Sequence, residues 1–486
     1  MWHQTCSTDS MAHAHQNHGA QLNGNAEIVV RGPVMLYGLH DRPPTMKALL
    51  AAFAHLCSIV AGIATAPLLI ARSIGLSPSD TTYAISSAFM VSGIATFIQI
   101  YRFGALGSGL LVVQGTSFSF IAPVTLAAVA LGTHVTDQAE VVGIILGSAV
   151  AGAAVTMVLS RYLDRLNRVI TQTVAGVTIV LLGFTLAGSS LRSLFHAAVA
   201  VQDTQSLVWL EAAIVASVIM VLSTRAQPWF RLSGICGGLF AGYLFALAVG
   251  DASAPDLAGS PSVVLLEPLH YPLGFDVGIF LLLMPIFLIT MTEAFGDLTA
   301  TSMLSGEPVR GPAYWIRIKG GVLADGFNSV LAAVLGTFPN TTFGQTNAVI
   351  QLTGVASRYV GLIVSGLLLL LGLFPIAALV FQALPPGVLY GGTSLMFALI
   401  AVAGFRVLRM QANSSRSLRI LAVVMVLSFS LTLLPGALQS IGLWIPDYLA
   451  MLLGFPVASG ALLTALWEWF APAKETSTAS TLGENE

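Results

Sequence analysis

Three carboxylates sit where a carboxylate is expensive. Glu293 and Asp297 fall in the apolar run that begins near Val277, and Asp325 falls in Gly-Gly-Val-Leu-Ala-Asp-Gly (320–326). Ionisable side chains within long apolar runs are costly and mark functional positions by default. The i, i+4 spacing of Glu293 and Asp297 puts both on one helix face. None of the three has a basic residue within one helical turn. A carboxyl group taken out of water without a cationic partner favours its neutral form, so such a group can take up and release a proton. His55, flanked by Ala54 and Leu56, is either a hydrogen-bond donor within its own span or a partner of one of these acids. Gln345 offers an amide with one acceptor and two donors. A carboxylate and an amide on one pocket match a ligand that carries N–H and C=O groups along one edge. Phe118 and Phe343 can supply faces for a planar ring.

The elements that hold these residues are set by composition. Of 486 residues, 56% are hydrophobic and 9% charged, against roughly 25% charged in soluble domains. A soluble protein of this length could not cover its surface with so few charges, whereas lipid can solvate an apolar exterior. A span needs about 20 apolar residues. Fourteen such runs follow one another, starting near Met46, Thr82, Gly109, Glu140, Val169, Leu207, Leu232, Val277, Gly320, Gln345, Tyr359, Gly387, Leu418 and Asp447. The expected architecture is an all-α polytopic membrane domain over 46–470, with disordered cytoplasmic tails at 1–45 and 471–486. His3, His13, His15 and His18 in the first tail have metal-binding chemistry, but a disordered segment accounts for them. Cys6, Cys57 and Cys236 form no metal or redox spacing.

Charge placement orients the spans. With the amino terminus in the cytoplasm, the loops on the cytoplasmic side carry fourteen basic residues, among them Arg102, Arg161, Arg168, Arg317, Arg358 and Arg416. The opposite loops carry only Arg72 and Arg192. This asymmetry predicts both termini inside. Fourteen divides into halves of seven, about 46–250 and 277–470, and an odd-numbered unit repeated once must be inverted in the membrane. The third run contains Val-Gln-Gly-Thr-Ser-Phe (113–118) and the tenth Thr-Phe-Gly-Gln-Thr-Asn (342–347). Paired polar interruptions at corresponding positions of two halves point to a binding site at the midplane, built from broken helices.

The motifs around these residues resemble the nucleobase–ascorbate transporters, in particular the bacterial xanthine and uric acid permeases. The likeness covers about 37–469. It is carried by Glu-Ala-Phe-Gly-Asp-Leu-Thr-Ala-Thr (293–301), Lys-Gly-Gly-Val-Leu-Ala-Asp-Gly (319–326) and Gln-Thr-Asn-Ala-Val-Ile-Gln-Leu-Thr-Gly-Val-Ala-Ser-Arg (345–358). Gln-Gly-Thr-Ser-Phe-Ser-Phe (114–120) is similar to the family's third-segment motif. The resemblance implies fourteen spans in two inverted repeats of seven, arranged as core and gate domains. It implies short strands leading into half-helices in segments 3 and 10, a homodimer, and an elevator-like movement of the core. It implies that Glu293 and Gln345 bind substrate with Phe118, Phe343, Ser117, Thr346 and Gly344, and that Asp297, Asp325 and His55 serve proton coupling or support. Thr346 replaces the family's usual Asn and Ala348 its usual Gly, and both departures bear on substrate choice.

The expected activity is therefore import of xanthine or uric acid with a proton across a bacterial inner membrane, with sodium left open as the coupling ion. No cofactor, metal, nucleic-acid partner or enzymatic reaction is expected. The competing readings are a carrier of the same fold for uracil, ascorbate or an anion, an intramembrane aspartyl enzyme, and a non-transporting sensor. The sequence lacks an HExxH zinc motif and a Gly-x-Gly-Asp arrangement at either Asp297 or Asp325.

Overall fold

The computed structural model describes residues 21–23, 27–29, 35–132, 134–166, 171–200, 205–225, 227–255, 261–411, 413–443 and 445–471. The histidine-rich start, Cys6, Arg168 and the tail beyond 471 lie outside the described residues. Residues 35–44, assigned to a disordered tail on composition, are held in place. Leu36 and Tyr37 donate to the Gly354 carbonyl, and the Arg358 N–H donates to the Leu39 carbonyl.

The chain is predominantly helical. After a short hairpin of β1 (Gln21–Asn23) and β2 (Glu27–Val29) come α1 (Thr45–Ile74) and α2 (Pro78–Tyr101). Next are β3 (Gln114–Thr116), α3 (Ile121–Leu131) and α4 (Gln138–Ser160), then the short α5 (Leu163–Leu166). The first half closes with α6 (Gln172–Ala200), α7 (Gln205–Ser223), α8 (Pro228–Leu232) and α9 (Gly234–Val249). The second half opens with α10 (Val277–Leu304), α11 (Pro312–Val334), β4 (Asn340–Thr342) and α12 (Gln345–Thr353). It continues through α13 (Arg358–Leu373), α14 (Ile376–Gln382), α15 (Pro386–Arg409) and α16 (Ser414–Leu431). It ends with α17 (Leu434–Ser440), α18 (Asp447–Leu453) and α19 (Pro456–Phe470).

Local chemistry sets many of the boundaries. Ser77, Asp137, Asp276 and Ser357 each accept a backbone N–H in the first turn of α2, α4, α10 and α13, which satisfies a donor the helix leaves free. Gly75 ends α1 in the left-handed conformation with φ 80°, its N–H returning to the Ala71 carbonyl.

Among the described residues, eight helices are long and apolar enough to cross a membrane, or nine if α13 and α14, bent by 67°, form one span. The remaining runs of the expected fourteen fall on units that fail this measure for a physical reason. The third and tenth are a strand followed by a short helix. The run at α9 is 16 residues long, the last run is split between α18 and the 15-residue α19, and α11 carries Arg317, Lys319 and Asp325.

Two packing neighbourhoods emerge. In the first, α2 packs on α13, α11 on α4, α1 on α2 and α10 on α11, with β3 and β4 between them. In the second, α6 packs on α15, α7 on α9, and α16 on α19. Many of these contacts come in couples: α1 meets α13 as α10 meets α4, and α9 meets α15 as α19 meets α6.

Candidate functional site

The site is organised by a two-stranded antiparallel ribbon joining the two halves of the chain. β3 pairs with β4 in the register Gln114 to Thr342, Gly115 to Thr341 and Thr116 to Asn340. All six residues are buried. Both strands run into short helical segments. Ser117 accepts the Ser119 N–H at 3.3 Å and opens a 3-10 turn, Phe118–Phe120, that continues into α3. Gly344 precedes α12 with no side-chain cap of its own.

The Asp297 carboxylate of α10 stands beside that start. A Cβ built on Gly344 would stand 2.8 Å from Asp297 Oδ1, so only glycine lets the carboxylate approach the start of α12. Thr342 Oγ1 donates to Asp297 Oδ2 at 3.0 Å. A carboxylate at a helix N-terminus is stabilised by the free N–H groups there. One turn earlier on the same face, Glu293 accepts from Ser119 Oγ, with Ser119 3.4 Å from Oε1 and 3.5 Å from Oε2. Glu293, Asp297, Gly344 and Gln345 are each half-buried rather than sealed. Gln345 is the first residue of α12, and its side-chain amide bonds to no described protein group.

Asp325 lies on the other side of the ribbon. Thr341 Oγ1 donates to Asp325 Oδ2 at 3.3 Å, while the adjacent Thr342 serves Asp297. Successive strand residues point to opposite faces, so β4 separates the two aspartates while keeping them within electrostatic reach. The Gln114 amide faces Asp325 as well. The Gln114 backbone N–H donates to Thr96 Oγ1 of α2 at 3.0 Å, and Ser329 of α11 donates to the Asn340 carbonyl at 2.8 Å.

The aromatic pair is positioned by glycines. A Cβ on Gly62 of α1 would come 2.8 Å from Phe343 Cε1, and one on Gly115 would clash with the same ring. Phe343 therefore lies between α1 and β3 in a slot that two missing side chains create. Phe118 sits 5.8 Å from Phe343, tilted by 57°, and meets Phe397 of α15 edge-on at 5.4 Å. That last contact links the two packing neighbourhoods.

The structure thus brings Glu293, Asp297, Gly344, Gln345, Phe118, Phe343 and Ser117 around one ribbon. Thr346 is buried there too, but its hydroxyl accepts the Val113 N–H at 3.4 Å, tying α12 to the strand rather than facing outward. His55 is fully buried in α1, and neither ring nitrogen has a hydrogen-bond partner, so it pairs with none of the acids. Sequence reasoning missed Ser119, Thr341, Thr342 and Gln114 as partners of the carboxylates. Their only signal was membership of the two polar interruptions. It also missed Glu211 on α7, a buried carboxylate packed against Gly387 of α15.

A family model described as a permease family matches residues 46–436. The xanthine permease XanP of Escherichia coli K12 is 37% identical over 447 residues, covering 91% of this chain and 95% of that protein. The chain belongs to the nucleobase–ascorbate transporter family. It is accordingly a multi-span helical membrane transporter rather than an enzyme. The xanthine permease XanQ of the same organism is 34% identical over 92% of this chain and 96% of its own length. The uric acid-xanthine permease of Emericella nidulans is 29% identical over 82% of this chain and 75% of its own. Among solved structures, the transmembrane domain of the cyanobacterial bicarbonate transporter BicA superposes with a TM-score of 0.53 at 15% identity, covering 91% of this chain and 100% of that one. The murine anion transporter Slc26a9 in its inward-facing state gives 0.55 at 14% identity, covering 89% and 69%. These two likenesses concern the fold alone.

Proposed function

We propose that this protein imports a purine base, xanthine or uric acid, together with a proton. The observation that carries the reading is the approach of Asp297 to Gly344 at the start of α12, with Glu293 one turn earlier on α10 and Gln345 the first residue of α12. Relatives named as xanthine and uric acid permeases over nearly the full chain support the substrate class. An oxidised purine presents ring N–H and C=O groups along its edges. Glu293 accepts from the ring N–H groups, Gln345 both donates and accepts, and the phenylalanines bear on the ring faces. Ser117 shapes the pocket through the 3-10 turn it caps, and Thr346 holds α12 to the ribbon.

Proton coupling falls to the carboxylates. Glu293 and Asp297, on one helix face and with hydroxyl partners only, hold one proton between them more readily than two full charges. Asp297 is the coupling group in this scheme. Asp325, across the ribbon, senses that charge, and His55 supports the packing of α1. In the outward-facing state the carrier takes up the proton and then the purine. The core formed by the first packing neighbourhood then shifts against the second, and both ligands leave to the cytoplasm.

The same proposal includes fourteen spans as two inverted repeats of seven, with both termini cytoplasmic in a bacterial inner membrane, and a homodimer moving by an elevator mechanism. The coupled packing contacts support the repeats: exchanging α1 for α10, α2 for α11, α4 for α13, α6 for α15 and α9 for α19 turns observed contacts into other observed contacts. The arginine asymmetry supports the orientation. A carrier for uracil or another base is the second reading, favoured by Thr346 standing where relatives of this type carry Asn.

Competition tests the substrate. In cells expressing the chain, unlabelled xanthine or uric acid should suppress uptake of labelled xanthine, and uracil should not. Suppression by uracil alone, with a labelled uracil signal, would replace the purine reading.

A further inference from the structure

A second cluster of charge lies away from the purine site, on the arginine-rich face. Arg102 follows α2 with φ 60°, is exposed, and has no side-chain bond among the described residues. Arg317 on α11 donates from Nη2 to Glu307 Oε2 at 2.8 Å, while its Nη1 is buried without a partner. Arg358, the first residue of α13, donates from Nε to the Gly109 carbonyl at 2.5 Å. A Cβ on Gly109 would stand 3.8 Å from Arg102 Cδ and 3.3 Å from Arg358 Cζ, so both side chains flank the same residue. The three guanidiniums repel one another, and Glu307 offsets only part of that charge. An orphaned, buried guanidinium N–H among like charges calls for an anion.

Two neighbouring features say which anion. Phe97, Tyr101 and Phe103 form an exposed aromatic cluster beside Arg102, with ring centroids 5.1 to 5.8 Å apart. Exposed aromatic side chains next to a basic group are typical of the level of lipid headgroups. An apolar groove of about 620 Å³ also runs between α2 and α13, lined by Met90, Ile363, Gly366, Leu367 and Leu370. At a rise of about 1.5 Å per residue, Ile363 lies roughly 7.5 Å along α13 from Arg358. Met90, Phe97 and Tyr101 recur at helical spacing on α2, so the aromatic cluster continues the groove toward the arginines. A charged end and an apolar trough in line fit one molecule that has both.

We propose that Arg102, Arg317 and Arg358 bind the phosphate of an anionic phospholipid whose acyl chain lies in the groove between α2 and α13. Basic pockets between transmembrane helices are suited to such headgroups. The site uses none of the purine-contacting residues, so its test is independent of the substrate reading.

Native mass spectrometry of the purified full-length protein, with phosphatidylglycerol, phosphatidylcholine or inorganic phosphate added at equal concentration, measures it. Phosphatidylglycerol should be retained about tenfold more tightly than phosphatidylcholine, as expected for a headgroup held by several arginines. Arg102→Gln should erase most of that preference, and its side chain bonds to nothing whose loss would disturb the fold. Gly366→Leu should weaken lipid retention in a different way: a Cβ there meets open space, so the added side chain fills the groove without touching the packing. Equal retention of the two lipids, or retention unchanged in both variants, would overturn the proposal. Phosphate that binds alone, competes with the lipid and survives Gly366→Leu would also overturn it, reassigning the arginines to a soluble anion.

Discussion

The helices around the ribbon and the helices beyond it are built on different terms. In its most apolar stretch α2 is 89% buried, whereas α7 is 28% and the Ser414–Ser440 stretch 22% buried. The first neighbourhood wraps helices around polar side chains: Gln99, Gln114, Asp325 and Asn340 are all enclosed there. The second leaves more of its surface exposed, and among the described residues its enclosed polar groups are fewer. One is Glu468 of α19, 3% exposed and paired with Arg416 of α16 at 2.7 Å. Enclosure lets the first region hold carboxylates at fixed distances from hydroxyls and helix ends. Under the proposed function this is a division of labour: the enclosed region would carry the chemistry, and the more exposed region the frame against which it moves.

The sharpest way to break that comparison is Glu293→Gln. The variant should insert normally and lose purine uptake to background, since the amide cannot reproduce a carboxylate facing two ring N–H groups. Wild-type uptake in this variant would remove Glu293 from the site. Arg416→Ala probes the other region. Leaving Glu468 buried without its cation should cost about 3–5 kcal/mol of stability, visible as a lowered unfolding temperature in detergent. Uptake per folded molecule should be preserved. A large fall in uptake at unchanged stability would place chemistry in the frame as well.

Much of the site was legible because membranes make polarity conspicuous. Glu293, Asp297 and Asp325 stood out as acids in apolar runs, and the interruptions at 113–118 and 342–347 coincide with β3 and β4. What periodicity cannot supply is the partner across the fold. Nothing local pairs Gln114 with Thr342, 228 positions away. The alternation of Thr341 and Thr342 between two aspartates emerges only once that register exists. Ser119 reaches Glu293 because the turn that Ser117 caps aims it there. Motif position alone places Thr346 among the contact residues, whereas its hydroxyl accepts the Val113 N–H. The spans were less legible where helices carry charge or break, as at α11 and at the bend between α13 and α14.

Smaller perturbations sharpen the same contrast. Gly115→Ala should push a methyl into the Phe343 ring, an overpacking worth about 1–3 kcal/mol, and raise the KM for purine. Gly188→Ala on α6 meets open space and should leave both stability and uptake unchanged. If Gly115→Ala were equally silent, the Phe343 slot would have no part in binding. Thr346→Val leaves the buried Val113 N–H without its acceptor, a cost of about 1–3 kcal/mol, and should raise KM a few-fold. An unchanged KM would show that α12 holds its position without that bond.

The central claim is purine uptake driven by a proton, and one measurement addresses it most directly. Labelled xanthine and uric acid uptake would be followed in cells expressing the chain, with and without a protonophore, with membrane insertion checked in parallel. The account predicts accumulation of at least one label that collapses when the protonophore is added. Inserted protein that accumulates neither label, or accumulation indifferent to the protonophore, would contradict it.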